Sequence, residues 1–310
     1  CPGSHDARSA AANEEILRVT TLALTRFTAV NALGRGGAAV FDALAARRTG
    51  LRPCAFEAVT LETYVGEVAG VDDLPVTERL AEFDCRNNRL AQLALDTDGF
   101  APAVAAAREK YGARRVAVVV GTSTSGMLET EHAYRRLDPA TGALPAGFRY
   151  ATTHNLYGLA DFVRRYLDLA GPAATVSTAC SSSAKVFASA SRLMALGLAD
   201  AVVVGGVDTL CRNTLYGFAS LDLVGREPCR PCDAERGGIS IGEAAGFALL
   251  ERPERAPAHS GVALLGYGES SDAYHMSTPH PQGEGAALAM RRALASAGLE
   301  PAAIDYINMH

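Results

Sequence analysis

Hydrophobic and polar positions along the chain change repeatedly between strand-like and helix-like patterns. Residues 22–33 alternate loosely, and residues 115–120, 173–177 and 201–206 form short apolar or β-branched runs typical of strands. Helical spacing of apolar positions predicts helices between them, over residues 38–48, 77–97, 101–111, 155–169 and 184–191. Strands that alternate with helices in this way predict an α/β protein with mostly parallel sheets.

A second unit is predicted to begin after a linker at residues 253–260. Residues 261–270 read as a strand, residues 285–297 as a helix, and residues 305–309 as another strand. Residues 1–19 combine a tag-like start with little periodicity, so we expect a tag or a disordered lead there. We therefore predict one unit over residues 20–257 and the start of another over residues 258–310.

Composition limits the classes of function that are compatible with the chain. A length of 310 residues, 48% of them hydrophobic and 20% charged, is ordinary for a soluble globular protein. The net charge of −5 argues against a general nucleic-acid binder. The best apolar run is interrupted by Asp200, so we expect no membrane span. Seven scattered cysteines and no visible secretory signal favour reduced thiols and a cytoplasmic location.

Cys180 carries the strongest chemical signal in the chain. It stands in the sequence Thr-Ala-Cys-Ser-Ser-Ser, between the predicted strand at 173–177 and the predicted helix at 184–191. The unpaired N–H groups and positive dipole end of a helix start favour a thiolate, which is the form of cysteine that attacks acyl groups. The alternative is a buried structural cysteine, and the local pattern alone leaves both interpretations open.

Several sequence blocks in the same order resemble those of the β-ketoacyl-acyl carrier protein synthases, the condensing enzymes of fatty acid and polyketide synthesis. The nucleophile block at 178–183 (TACSSS) is followed by the family's next strand, its RPFDxxRdG loop and its GEGAG, SDAYHM and first-histidine blocks. The matching segments here are residues 201–208, 229–238, 242–246, 271–276 and 304–310. Together with the preceding elements, the resemblance covers residues 20–310.

This resemblance implies a thiolase-like fold, an αβαβα layered arrangement of two similar α/β halves. The chain would supply the whole first half and only the opening of the second, so we expect a second half that is truncated after His310. The resemblance also implies a dimer, formed either by two identical chains or with a paralogous synthase subunit.

The chemistry implied by the resemblance is a decarboxylative Claisen condensation. Cys180 would accept an acyl chain from an acyl carrier protein, and His310 would help to decarboxylate malonyl-carrier protein, giving a β-ketoacyl product. Acyl and malonyl thioesters are the implied substrates, and no cofactor, metal, nucleic acid or membrane is implied. The principal alternative is a non-catalytic partner subunit similar to a chain-length factor, against which the presence of Cys180 argues.

Substrate-pocket and docking residues are also implied by the resemblance alone. Residues expected to contact the substrate are Thr124, Phe218, Ser277 and Thr278. An acidic carrier protein is expected to dock on arginines, with Arg226 the first candidate and Arg86 and Arg89 weaker ones. A plain loop is the alternative interpretation for Thr124, and solvated surface positions are the alternative for the three arginines.

Two other motifs suggest different chemistry. Residues 34–39 fit the G-x-G-x-x-A dinucleotide fingerprint, with Glu57 near the expected acidic position, but we favour a tight strand-to-helix turn. Cys229 and Cys232 have the C-x-x-C spacing of half a zinc site or a redox pair, but no second pair accompanies them. We interpret Cys232 as a packing substitution, and Asp272 as a residue that holds the loop around His275.

Overall fold

The structure is a computed structural model that describes residues 20–256, 261–275 and 278–310. The predicted lead at residues 1–19 lies outside the described residues, and so do residues 257–260 and 276–277. The described part is built from helices packed on both faces of a central β-sheet.

The strands form two sheets within the described residues. The strands are β1 (Leu22–Asn31), β2 (Gly34–Arg35), β3 (Arg52–Pro53), β4 (Tyr64–Gly66), β5 (Val116–Gly121), β6 (Ala173–Val176), β7 (Ala201–Asp208), β8 (Ile241–Gly242), β9 (Ala244–Glu251) and β10 (Val262–Leu264). The central sheet has the spatial order β10-β1-β9-β7-β5-β6, with β2 paired to β1, and a small sheet has the order β3-β4-β8.

Helices cover both faces of the central sheet. The α-helices are α1 (Gly37–Ala45), α2 (Arg86–Leu95), α3 (Phe100–Tyr111), α4 (Met127–Arg135), α5 (Tyr157–Tyr166), α6 (Ser182–Ala195), α7 (Arg212–Ala219) and α8 (Glu284–Ala297). Val116, Val118 and Val120 of β5 join the core formed with α2, α3 and α5, whereas Ala117 and Val119 join the core formed with α6. Because strand side chains alternate between faces, an apolar run such as β5 is buried on both sides, as predicted.

The central sheet is mixed rather than mostly parallel. Strand β5 pairs parallel with β6 and β7, as predicted, but β9 pairs antiparallel with both β7 and β1. Parallel neighbours need a connection that crosses the sheet from end to end. The chain between β7 and β9 makes no such crossing, because residue 208 of β7 pairs with residue 244 of β9 at the same end. The prediction of parallel pairing is therefore wrong for β9.

Some elements differ from the sequence expectations. Residues 261–270 form only the short strand β10, which pairs with β1, and residues 304–310 form no strand. A strand needs a neighbour for its backbone hydrogen bonds, and within the described residues 304–310 lies exposed, with Tyr306 79% accessible. Helices α4 and α7 are not predicted from the sequence, because helices of nine and eight residues are too short for helical periodicity to stand out.

Candidate active site

Cys180 lies in the turn that joins β6 to α6, as the sequence predicts. Strand β6 ends at Val176 and helix α6 begins at Ser182, so Cys180 immediately precedes the helix N-cap, Ser181. Cys180 is exposed and lines a cavity of about 860 Å³, a size typical of ligand sites. The alternative of a buried structural cysteine is therefore wrong.

The backbone before Cys180 has an unusual conformation that its neighbours hold in place. Ala179 has φ +53°, a left-handed value that costs a residue with a Cβ on the order of 1 kcal/mol. Its carbonyl oxygen accepts hydrogen bonds from the Ser182 backbone N–H at 3.1 Å and from the Ser182 hydroxyl at 2.6 Å. The Ser123 hydroxyl donates a third, at 3.2 Å. Such strain persists only where the surroundings fix it, and it is common at functional sites.

Two glycines let the first turn of α6 lie directly against the strand ends. A Cβ placed on Gly121, at the end of β5, would lie 2.7 Å from the backbone of Ser182 and Ser183. A Cβ placed on Gly206 of β7 would lie 2.7 Å from the Cβ of Ser183. Both distances are too short for any residue but glycine. The position of the Cys180 turn is thus set by the central sheet.

Thr124 belongs to a loop that is anchored by a single carboxylate. Asp208 Oδ1 accepts hydrogen bonds from the Thr124 backbone N–H and hydroxyl, both at 2.8 Å. The same oxygen accepts from the Ser123 N–H at 2.7 Å and the Thr122 hydroxyl at 2.8 Å. Asp208 lines the cavity, whereas Thr124 is buried and is not among the described lining residues.

Phe218 lies on α7, away from the described lining of the Cys180 cavity. It packs as a half-buried ring against a small apolar cluster that includes Phe56, Leu128 and Leu215. Its carbonyl accepts hydrogen bonds from the Leu221 and Leu223 N–H groups, which close the turn after α7. The role of Phe218 in substrate binding therefore remains a prediction that the cavity geometry does not address.

Four of the five other described cysteines occupy contrasting environments. Burial raises the pKa of the Cys85 thiol to about 12 and also raises the pKa of the Cys211 thiol, so both are protonated at neutral pH. Cys229 is half-buried and lines the same cavity as Cys180. Cys232 is exposed and has φ +63°, so the interpretation of Cys232 as a packing substitution is wrong.

The predicted residues of the second unit lie outside the described cavity lining. His310 is exposed at the end of the extended 304–310 segment, and Thr278 is exposed in the loop before α8. Ser277 lies outside the described residues. Asp272 does hold the neighbouring loop, as expected, because its carboxylate accepts from the Tyr274 N–H at 3.2 Å and the His280 N–H at 3.0 Å. These two hydrogen bonds lower the pKa of the Asp272 carboxyl.

Arg86 is buried, so the prediction that it is a docking cation is wrong. Its side chain is 2% exposed and binds Glu243 with its Nε at 3.0 Å and its Nη2 at 2.7 Å. Asp72 accepts a further bond from Nη1 at 2.5 Å. A buried guanidinium that is paired with carboxylates of Glu243, Asp72 and Glu67 cannot meet a partner surface.

Arg89 and Arg226 differ in how closely a carboxylate pairs with the guanidinium. Arg89 binds both oxygens of Asp84 at 2.7 Å, and this pairing lowers the pKa of the Asp84 carboxyl. Arg226 is 84% exposed, with the Glu62 carboxylate 3.8 Å away as a loose partner. Arg226 is thus the more available cation of the two.

Two carboxylates of the site, the buried Glu243 and the half-buried Asp208, are not predicted from the sequence to have a role there. Glu243 accepts from the Val68 and Leu210 N–H groups in addition to Arg86, and it lines the cavity beside Asp208. The available signals are their positions, because Asp208 ends the apolar strand β7 and Glu243 lies between β8 and β9. Their hydrogen-bond partners lie 33 to 175 residues away in sequence, from Leu210 to Val68 for Glu243, so the sequence alone does not show which residues pair.

The glycine-rich segment at residues 34–39 forms a hairpin turn. Gly34 and Arg35 pair antiparallel with the end of β1, and Gly36 takes φ +93°. The N–H of Gly37, at the start of α1, donates to Asp98 at 2.9 Å, so a carboxylate already occupies this helix start. Glu57 binds His132 and Arg135 instead of facing this turn. The segment is the tight turn favoured from the sequence.

Residues 20–256, 261–275 and 278–310 contain no group of three or more His, Cys, Asp or Glu side chains arranged to hold a metal ion. Within the same ranges, no helix combines the length and the apolar character needed to cross a membrane.

Comparison with known families gives two consecutive matches. Residues 79–256 match the β-ketoacyl synthase N-terminal domain, and residues 262–310 match the β-ketoacyl synthase C-terminal domain. The chain is 43% identical over 153 residues to 3-oxoacyl-[acyl-carrier-protein] synthase 2 of Rhizobium meliloti, covering 46% of this chain and 36% of that protein. It is 29% identical over 309 residues to the same-named protein of Coxiella burnetii, covering 93% of this chain and 72% of that protein.

Solved structures with the same architecture include a ketosynthase in complex with its chain length factor from Xenorhabdus doucetiae. That structure has a TM-score of 0.80 and 37% identity, and the match covers 92% of this chain and 70% of that one. The ishigamide ketosynthase/chain length factor has a TM-score of 0.79 and 26% identity. These likenesses confirm the predicted thiolase-like α/β fold. The chain spans between about a third and a half of the first two curated relatives, at 36% and 50% of their lengths.

Proposed function

The chain belongs to the β-ketoacyl synthase family, and we propose on that basis that it catalyses decarboxylative condensation of an acyl thioester with malonyl-acyl carrier protein. One observation carries the proposal: Cys180 is exposed to a cavity at a strand-to-helix turn. The thiols of Cys85 and Cys211 are buried, and their raised pKa values leave them protonated, so they are poor nucleophiles.

The first stage transfers an acyl group to the protein. The Cys180 thiolate attacks the carbonyl carbon of the acyl thioester, and the C=O electron pair moves onto oxygen. When that pair returns, the bond to the carrier's sulfur breaks and the carrier leaves as a thiolate that takes up a proton. The Cys180 backbone N–H is the proposed donor to the transient oxyanion.

The second stage forms the carbon–carbon bond. The bond from the malonyl α-carbon to its carboxylate breaks, CO₂ leaves, and the electron pair forms an enolate on the thioester. The proposed role of His310 is to donate an N–H to the enolate oxygen. The enolate carbon then attacks the acyl group on Cys180, the C–S bond breaks, and the thiolate is restored.

The condensation is tested by incubating the purified protein with acyl- and malonyl-carrier protein. The expected product is a β-ketoacyl-carrier protein that is longer by one two-carbon unit, detected by intact mass. A non-catalytic partner subunit, the second candidate, would give no product alone and would restore activity only to a separate synthase subunit. Acyl-chain contacts from Thr124, Phe218, Ser277 and Thr278 remain part of the proposal.

Carrier-protein docking is proposed to use Arg226. The net charge of −5 means that an acidic carrier must be attracted by a local cation, and Arg226 is 84% exposed. Arg226→Glu is expected to raise the apparent carrier-protein KM several-fold, because one attractive charge at the rim of the interface is lost. The dependence of this KM on salt concentration should become weaker. Arg89→Glu is the comparison variant, because Arg89 is already paired with Asp84. An Arg226→Glu protein with unchanged KM and salt dependence would refute docking at this position.

A dimer is proposed to form through β6 and the helix before it, α5, with an identical chain or with a paralogous subunit. Strand β6 is an edge of the central sheet, and its residues are half-buried or exposed. A strand at a sheet edge presents unpaired backbone N–H and C=O groups, to which a strand of another chain can pair. Solution scattering should give twice the mass of one chain, and Thr175→Pro should shift it toward a monomer because proline cannot pair in the ladder. A wild-type monomer that binds no paralogous subunit would contradict the proposal.

A further inference from the structure

We propose that Ser123 is a positioning residue that fixes the direction of the Cys180 backbone N–H through the carbonyl group of Ala179. The inference rests on the proposed function, because that N–H matters only if an oxyanion forms next to Cys180. In this role Ser123 contacts neither the Cys180 thiol nor the substrate. It acts on the peptide unit that joins Ala179 to Cys180, through its 3.2 Å hydrogen bond.

The geometry of one peptide unit makes this coupling direct. The Ala179 carbonyl and the Cys180 N–H belong to the same planar trans peptide, so they point in opposite directions. Hydrogen bonds that hold the carbonyl therefore fix the direction of the N–H. The hydroxyls of Ser123 and Ser182 both hold that carbonyl, and they come from different segments of the chain.

The loop that carries Ser123 is itself anchored to the sheet. Asp208, the last residue of β7, accepts the Ser123 backbone N–H at 2.7 Å and both donors of Thr124 at 2.8 Å. The chain of contacts therefore runs from the strand end to the loop, and from the loop to the Ala179 carbonyl. Asp208, Ala179 and Cys180 all line the same cavity.

This hydrogen-bond network holds a strained backbone conformation in place. Ala179 has φ +53°, a left-handed value. If the Ala179–Cys180 peptide plane rotated toward an ordinary conformation, the Cys180 N–H would point in a different direction. Ser182 remains in place when Ser123 is altered, because its hydroxyl also accepts the Thr178 N–H at 2.8 Å. Loss of the Ser123 hydroxyl should therefore loosen the peptide without unfolding the turn.

Two reactions of the same sulfur separate positioning of the N–H from reactivity of the thiolate. Acyl transfer from a thioester passes through an oxyanion and needs the N–H donor. Alkylation by iodoacetamide displaces iodide from an sp³ carbon, forms no oxyanion, and needs only an accessible thiolate. A residue that merely supports the fold would affect both reactions alike.

The test measures both rates at Cys180 in the full chain, using acyl-pantetheine and iodoacetamide with intact-mass detection. Ser123→Ala is expected to slow acyl transfer on the order of 10-fold, below the roughly 10²–10³-fold effect of removing an oxyanion donor outright. Alkylation should be unchanged, and Ser123→Thr, which keeps a hydroxyl, should recover much of the acyl-transfer rate. Ser220→Ala is the control, because Ser220 is also exposed and donates to a backbone carbonyl, that of Gly217 at 2.7 Å.

The outcomes distinguish this inference from the proposed function. Unchanged acyl transfer in Ser123→Ala, or an equal fall in both reactions, would overturn the positioning role while leaving the condensing activity standing. A wild-type protein that is alkylated at Cys180 but accepts no acyl group would overturn both. Slower acyl transfer with unchanged alkylation and recovery by threonine supports the inference.

Discussion

Cys180→Ala is expected to abolish both acyl transfer and condensation without loss of the fold. The proposed acyl-enzyme bond is made by the Cys180 sulfur, and loss of a covalent nucleophile typically costs on the order of 10⁴-fold or more in turnover. Cys180 is exposed in the turn, so the smaller side chain leaves no buried cavity. Formation of β-ketoacyl-carrier protein, normalised to folded protein by thermal unfolding, provides the measurement.

Cys232→Ala is the matched control for this experiment. Cys232 is also exposed, but it is not among the described residues that line the Cys180 cavity. Its replacement should leave product formation near the wild-type rate. Substantial condensation by folded Cys180→Ala would show that another group is the nucleophile.

His310→Ala in the full-length protein is expected to separate the two stages of the reaction. Acyl transfer needs the Cys180 thiolate and an oxyanion donor, whereas decarboxylation needs an N–H directed at the malonyl thioester oxygen. The variant should therefore retain substantial Cys180 acylation and lose CO₂ release by on the order of 10²–10³-fold, or about 3 kcal/mol of barrier lowering. Acyl-enzyme mass and CO₂ release are measured on the same folded sample.

The opposite pattern would assign His310 a purely structural role. If His310 only supports packing at the end of the 304–310 segment, its replacement would lower the free energy of unfolding. Decarboxylation per folded molecule would then stay near the wild-type rate, and the proposed catalytic role would be wrong.

Local sequence signals were sufficient to predict the nucleophile turn. The strand at 173–176, the exposed Cys180 and the following helix α6 all lie within one short segment, so periodicity and the TACSSS block place them together. The buried strand β5 was also predictable, because a short run of valines is typical of a strand covered on both faces. These elements depend on neighbours in sequence.

Features that depend on distant neighbours were not predictable in the same way. Arg86 reads as a surface cation, but Glu243, 157 residues later, draws it into a buried ion pair. Asp208 reads as a strand end, but the loop 122–124 that it anchors lies 84 to 86 residues earlier. Residues 305–309 read as a strand from the sequence, but within the described part of the chain no neighbour pairs with them. The sequence pattern around a residue indicates the environment it prefers, but its partner in the fold decides whether it is buried, ion-paired or part of a sheet.

The identity of the acylated residue is the most direct test of the proposed chemistry. After incubation of the protein with acyl-carrier protein, proteolysis and peptide mass analysis locate the thioester among the cysteines. We predict the acyl mass on the peptide that contains Cys180. An acyl group on Cys229 or Cys232, with Cys180 unmodified, would contradict it.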